Sequence, residues 1–302
     1  MLDTTKTAQQ IRVSPLVSSF FGRLPGYTYA GLLLNLLAWT SSWTRIGPWP
    51  YTFFPLWLGF ILVLDGVNVA RHGSSLLTRS WRRFGALFLF STPFWWLYEV
   101  LNIRLNNWHY QFDHQYSWLA YHALSSLSFS TVLPVVFEMA ELLSSFAWLR
   151  PISRPLAPGP RFSRRQALGC SGAGLLILAA LMVFPRYTYP LVWLSLIFLL
   201  DPLCDLAGRK SAFSHLFARD WRFITTLALA ALCCGFFWEF WNYWALPKWQ
   251  YTVPFIDGLP HLFEMPIPGY LGYLPFGVEL FSTYQFALLA LRIPQRDDNL
   301  TF

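Results

Sequence analysis

The sequence predicts an all-α protein, a polytopic transmembrane bundle made of two tandem parallel repeats. Three observations predict it: an apolar composition, recurring stretches of membrane-crossing length, and internal self-similarity. Of 302 residues, 55% are hydrophobic and only 12% charged, with a mean hydropathy of +0.39. A soluble domain carries about 25% charged residues. Crossing a hydrocarbon core as helix takes about 20 apolar residues. Stretches of that kind are expected at about 26–46, 51–70, 84–103, 128–148, 166–185, 189–206, 223–246 and 270–292, eight spans in all. Asn35 and the run Thr40-Ser41-Ser42 make the first the most polar. Residues 1–20 are polar and lack the apolar h-region of a cleavable signal peptide.

The net charge of +7 has its meaning in position. Of 22 Lys and Arg residues, only Arg45, Arg104, Arg186 and Lys248 fall on one side of the predicted bundle. The rest, from Lys6, Arg12 and Arg23 through Arg71, Arg79, Arg82, Arg83, Arg150, Arg154, Arg161, Arg164, Arg165, Arg209, Lys210, Arg219 and Arg222 to Arg292 and Arg296, fall on the other. Cytoplasmic loops carry such an excess of cations. The expectation is therefore an integral protein of the bacterial inner-membrane kind, with both termini cytoplasmic. The cations then serve topology and lipid headgroups rather than nucleic acid. The four cysteines, Cys170, Cys204, Cys233 and Cys234, lie in predicted spans without zinc or disulfide spacing and read as small core residues.

The halves align over their last three spans at an offset of about 135 to 141 residues. Phe54-Pro55-Leu56 leading to Asp65 matches Tyr189-Pro190-Leu191 leading to Asp201. Arg79-x-Trp81-Arg82 matches Arg219-x-Trp221-Arg222, and Glu99-x-x-Asn102 matches Glu239-x-x-Asn242. Trp108-x-Tyr110 matches Trp249-x-Tyr251, and Leu133-Pro134-x-x-x-Glu138 matches Leu274-Pro275-x-x-x-Glu279. An even number of crossings per unit makes the copies parallel, related by an axis along the membrane normal. The division reads as a first repeat over 1–149, a cytoplasmic linker over 150–165 and a second repeat over 166–302. The proline-rich segment from Pro247 to Gly269 is longer than its counterpart and reads as a lid or lateral gate.

Ionisable groups inside a bilayer are costly, so repeated intramembrane carboxyls are the informative positions. Glu99, Glu138, Glu239 and Glu279 are the candidate catalytic groups, since a carboxyl in an apolar pocket favours its neutral, proton-donating form. Asn102 and Asn242 share a helix face with Glu99 and Glu239 and are expected to bond the glutamate or a ligand beside it. Trp96, Tyr98, Trp238 and Trp241 are the candidate substrate-binding aromatics, because rings stabilise positive charge without acting as nucleophiles. Asp65 and Asp201 lie near an arginine-rich interface, where a salt bridge suffices. The alternative for all of these is interhelical hydrogen bonding kept by both copies because both fold alike.

No metal or other cofactor is called for. Six histidines form no H-x-x-H or H-E-x-x-H spacing, although His109, His114 and His122 cluster near one loop and His261-x-x-Glu264 lies in another. Phosphate-binding loops and nucleophile elbows are missing too, which removes nucleotide-driven transport and serine hydrolysis.

Trp238-Glu239, Trp249-x-Tyr251 and Leu274-Pro275-Phe-Gly-Val-Glu279, with their first-half equivalents, resemble the duplicated units of the small-subunit type of lycopene cyclase, over about 85 residues per half. More loosely, they resemble the membrane carotenoid hydratases. The resemblance implies a metal-free reaction in which a carboxylic acid protonates a polyene end and a base removes a proton after ring closure. That family has proline, one residue and then two adjacent acids where this chain has Pro-x-x-x-Glu, and Asp after Trp where it has Glu. A shared fold acting on a different lipid fits equally.

The leading expectation is thus an enzyme acting on an isoprenoid or other apolar lipid as a cyclase, isomerase or hydratase. A transporter or binding protein holding lipid or a small molecule between the repeats is the alternative. A scaffold for a partner enzyme is a third.

Overall fold

A computed structural model describes residues 21–152, 161–294 and 300. The cations Lys6, Arg12, Arg154 and Arg296, the polar segment 1–20 and linker residues 153–160 lie outside the described residues. Within them the chain is mostly helical, with six helical segments long and apolar enough to cross a membrane.

Helices α1 (Gly26–Thr44) and α2 (Phe53–His72) form a tight antiparallel pair around a 3-10 turn at Trp49–Tyr51. Gly31 and Gly59 permit their contact. A Cβ on Gly59 would stand 2.6 Å from the Gly31 carbonyl oxygen, so only small residues let the backbones meet. Asn35, expected to weaken the first span, donates to the Leu56 carbonyl across this seam at 2.9 Å. A one-turn helix α3 (Leu76–Arg79) then leads through Ser80 into α4 (Trp81–Leu105). Strand β1 (Trp108–Gln111) follows, and then α5 (Trp118–Phe129) and α6 (Val132–Ser144).

After a 3-10 turn at Ala147–Ile152 come α7 (Arg164–Val183), the short α8 (Pro185–Thr188), a 3-10 turn at Tyr189–Leu191 and α9 (Val192–Leu206). The short α10 (Ala212–Phe217), α11 (Trp221–Asn242), strand β2 (Lys248–Tyr251), the β3 (His261–Leu262) and β4 (Met265–Pro266) hairpin, a 3-10 turn at Ile267–Gly272 and α12 (Tyr273–Ala290) complete the order.

The span expected at 128–148 is placed differently. It begins ten residues earlier, at Trp118, runs to Ser144, and is broken at Ser130-Thr131. His122, Ser125, Ser126 and Ser128 hide its first half from a hydropathy reading. Ser91 bridges the break, its hydroxyl donating to the Phe129 carbonyl at 2.6 Å and accepting from Leu133 N–H at 3.1 Å. Irregular backbone at membrane depth survives only where protein groups satisfy it. The other five segments of crossing length are α2, α4, α7, α8 with α9, and α11. Helices α1 and α12 fall short of that criterion, α12 because Glu279, Ser282, Thr283 and Gln285 dilute it.

Helices α6 and α12 form the centre. Every residue from Val132 to Glu141 is buried, as is every residue from Phe276 to Ser282. A helix apolar all round is enclosed by other helices. The centre is uneven: α6 packs extensively on α11 of the other half, whereas α12 barely touches α4.

At one end β1 and β2 pair antiparallel, with Trp108 opposite Tyr251, His109 opposite Gln250 and Tyr110 opposite Trp249. This two-stranded ribbon ties the halves together. Arg71, Arg79 and Arg82, on helix ends, and Arg209, Lys210 and Arg219, in loops, lie at the other end.

Candidate functional site

Under the ribbon lies a chamber of about 220 Å³, bounded by both halves. Its wall carries eight tryptophans: Trp49, Trp57, Trp95, Trp108, Trp193, Trp238, Trp241 and Trp249. Phe276, at the head of α12, is the hub. Its ring lies 6.0 Å from Trp95, 5.4 Å from Trp193 and 6.3 Å from Trp238. Pro247, Lys248, Trp249, Tyr251, Met265 and Gly269 come from the segment expected to be a lid, which closes part of this wall. The side chain of Lys248 is ion-paired with Glu264.

Glu99 and Glu239 stand behind the wall rather than in it, each reached through ring donors that do line it. The Glu99 Oε1 accepts from Tyr110 OH at 2.6 Å, Trp95 Nε1 at 3.0 Å and Trp108 Nε1 at 3.2 Å. On the other side, Glu239 Oε1 accepts from Tyr251 OH at 2.7 Å and Tyr273 OH at 2.8 Å, and Trp249 Nε1 donates to the Tyr251 oxygen at 2.9 Å. Glu239 is fully buried, and its Oε2 has no hydrogen-bond partner among the described residues. Burial first, and then the glutamate each one faces, hold the Tyr110 and Tyr251 hydroxyls well above the ordinary phenol range. Both are therefore hydrogen donors at any physiological pH.

Local sequence accounts for this placement. Trp95 lies four residues before Glu99, one turn away on the same helix face. Tyr110 and Tyr251 reach the carboxyls because Asn102 and Asn242 fix the strands that carry them. The Asn242 amide donates to the Trp249 carbonyl at 2.8 Å and accepts from Trp249 N–H at 2.9 Å. Likewise Asn102 donates to the Trp108 carbonyl at 2.7 Å and accepts from Asn107 N–H at 2.9 Å. The expected Asn–Glu hydrogen bonds do not form, since each amide spends both its donor and its acceptor on strand backbone. These asparagines anchor the ribbon.

Glu138 and Glu279 lie apart from the wall, on the central helices. Asn68 donates to Glu138 Oε2 at 2.7 Å and to the Glu138 carbonyl at 3.0 Å. Glu279 Oε1 accepts the Leu196 N–H of α9 at 3.0 Å, with Tyr98 from the opposite half beside it. Tyr98 itself is fully buried and stacks on Trp193 at 5.4 Å. Of the other expected aromatics, Trp238 and Trp241 line the chamber. Trp96 does not: it donates to Ser126 at 3.0 Å and stacks on His122.

Asp65 accepts the Leu77 N–H of α3 at 3.0 Å, and Asp201 accepts the Ala212 and Phe213 N–H groups of α10, each at 2.8 Å. Their work is to cap short helices. Arg79 makes its ion pair with Glu141, at 2.6 Å. His109, His114, His122 and His261 make separate local contacts, and among the described residues no three His, Cys, Asp or Glu side chains gather as metal ligands. Cys204 and Cys234 are buried, Cys170 and Cys233 partly so.

Sequence reading missed Tyr273, Trp57 and Trp193. Nothing in their neighbourhoods distinguishes them from other belt aromatics. Tyr110, Tyr251, Trp108 and Trp249 carried a signal, the W-x-Y segment present in both halves.

Fold and site together define a multi-pass helical protein of membrane type with an aromatic chamber at one end. No protein-family model, curated protein or solved structure matches the chain.

Proposed function

We propose that this chain is an integral membrane enzyme that transforms an isoprenoid or other apolar lipid by acid–base chemistry, of the cyclase, isomerase or hydratase type, in the aromatic chamber. One observation carries the reading. Two intramembrane carboxyls, Glu99 and Glu239, reach a single apolar chamber through the hydroxyls of Tyr110, Tyr251 and Tyr273. A buried glutamate costs free energy that a purely structural partner of lower polarity would avoid.

Ring closure or double-bond migration in a polyene adds one proton at one carbon and removes one from another. A tyrosine hydroxyl aimed at a glutamate is arranged for removal. It takes the proton from the carbon beside the cationic centre while its own hydrogen passes to the carboxylate. The other carboxyl, reached from the opposite wall, supplies the first proton through the reverse transfer, and the two groups exchange protonation states over a cycle. The tryptophan faces stabilise the intervening carbocation. Glu138 and Glu279, bonded to Asn68 and to α9 backbone, keep structural roles in this reading.

The same proposal holds the chain to be two parallel copies in a bacterial-type inner membrane, both termini cytoplasmic. The ribbon register supports the duplication: equivalent residues pair reciprocally, Trp108 with Tyr251 and Trp249 with Tyr110, as a two-fold axis requires. The likeness to small-subunit lycopene cyclases rests on the sequence motif. A binding or transport protein is the second reading, favoured by a chamber that both halves line. Access from both membrane faces in turn distinguishes it.

The deciding experiment expresses Glu99→Gln, Glu138→Gln, Glu239→Gln and Glu279→Gln separately and compares extracted lipids by mass spectrometry. The first and third are expected to abolish a lipid conversion that the second and fourth retain. Unchanged lipid profiles in all four would remove the catalytic reading.

A further inference from the structure

The chamber's electrostatics specify an occupant more narrowly than its apolarity does. Six ring donors of its wall are already committed. Trp95, Trp108 and Tyr110 give their hydrogens to Glu99, Tyr251 and Tyr273 give theirs to Glu239, and Trp249 gives its own to Tyr251. Five of these rings thus turn their positive edges toward carboxyls that lie outside the lining, and the sixth, Trp249, turns its own toward the Tyr251 oxygen. What these six leave to a ligand is π-electron density and phenolic lone pairs, both negative; the wall also keeps the Nε1–H of Trp241, unpartnered among the described residues, a neutral donor that carries no full charge. Lys248, the charged residue of the lining among the described residues, is already paired with Glu264, which offsets its attraction for an anion. Neither Glu99 nor Glu239 has an ion-pair partner among the described residues, and the buried Glu239 Oε2 is unpartnered altogether.

We infer that the chamber is a binding site for a lipophilic monocation, a quaternary ammonium carried on an apolar body. It would sit against Trp238, Trp95 and Tyr273 with the two carboxyls behind the rings. Aromatic faces bind such ions most strongly where water is displaced; a bound cation also favours the ionised form of a carboxyl one ring away, and that carboxylate adds attraction that the surrounding low dielectric preserves. A neutral isostere gains the same apolar contact without either contribution. The inference rests on the reading of the chamber as the ligand site, and it holds for a stable cation bound there whether or not a transient one is formed.

The test is equilibrium binding to the purified full-length chain in dodecyl maltoside micelles. Tritiated benzyltrimethylammonium is the probe, and its neutral carbon isostere, neopentylbenzene, is the competitor. The cation is expected to bind about tenfold or more tightly than the isostere. The double variant Glu99→Gln/Glu239→Gln is expected to lose most of that preference while its affinity for neopentylbenzene stays the same. Equal affinity for the two ligands, no binding of the cation, or an undiminished preference in the double variant overturns the inference. If the double variant fails to fold, the wild-type comparison of the two ligands still decides.

An ammonium ligand has two sources, and added lipid separates them. Phosphatidylcholine competes with the probe if a lipid headgroup is the occupant, whereas equal phosphatidylglycerol does not. No competition by either marks a free cation. Cation preference together with lipid profiles that all four glutamine variants leave unchanged would keep this site and discard the chemistry. Altered profiles without cation preference would do the reverse.

Discussion

Glu99 and Glu239 hold matching positions and receive matching tyrosines from the ribbon, yet their remaining donors come from different places. At Glu99 the further partner on the helix is Trp95, four residues earlier. The residue four before Glu239 is Gly235, and there the partner is Tyr273, reaching across from α12. The ring of Tyr273 lies against the bare backbone of Gly235, where a Cβ would stand 2.5 Å from Cδ2 and Cε2. Val132, which aligns with Tyr273 by the repeat offset, is too small to do the same for Glu99. One half therefore draws the donor it adds to the ribbon's from the glutamate's own helix. The other couples its carboxyl to the central helix α12, so that the same acid becomes sensitive to how two helices pack.

Exchanging the two solutions is the strongest way to break this comparison. Gly235→Trp gives the second half the residue of the first and drives an indole into the space of the Tyr273 ring. Overpacking of this kind costs about 1–3 kcal/mol or more. The expected outcome is a large fall in thermal midpoint, partly restored in Gly235→Trp/Tyr273→Val. An unchanged midpoint in the single variant would show that the Tyr273 ring is free to leave.

A gentler pair asks how much each donor contributes. Tyr273→Phe removes one of two hydroxyls from a fully buried carboxyl. Hydrogen bonds to charged groups contribute about 1.5–3 kcal/mol, and a loss in that range is expected in denaturant unfolding. Trp95→Phe leaves Glu99, which is only partly buried, with Tyr110 and Trp108, and the loss should be the smaller of the two. The reverse order would mean that the Glu99 site carries more of the local stability than its geometry indicates.

The smallest effect belongs to the ribbon's exposed face, where Gln111 Nε2 donates to Gln250 Oε1 at 2.7 Å. Water replaces such a bond readily, and Gln111→Ala should cost about 0.5 kcal/mol or less. Its measure is hydrogen exchange at β1 and β2, which should stay protected because Asn102 and Asn242 hold the strands from beneath.

Much of this molecule was legible in residues whose pattern is local. Apolar runs located the helices to within a few residues, except where serines and a histidine hid α5. The W-x-Y segments stood out as repeated, six residues after Asn102 in one half and seven after Asn242 in the other, but nothing local showed that they pair as strands. The i, i+4 rule explains why Trp95 meets Glu99, although the aromatic singled out in that stretch was its neighbour Trp96. The partners of Asn102 and Asn242 were not legible, because an amide on a helix face serves a glutamate and a strand equally well until the loop between them is folded.

By itself the sequence determined that the chain is mostly helical and apolar enough to enter a membrane. It also singled out a few carboxyls and asparagines recurring at fixed spacing. Those follow from composition and local periodicity, which no tertiary contact can alter. Only the tertiary structure decided that Glu99 and Glu239 stand behind one chamber while Glu138 and Glu279 lie apart from it on the central helices, and that Asp65 and Asp201 cap short helices. It alone placed Tyr273 over Gly235. These are contacts between residues tens to more than a hundred positions apart, fixed by which helix faces meet, and hydropathy carries no record of that choice.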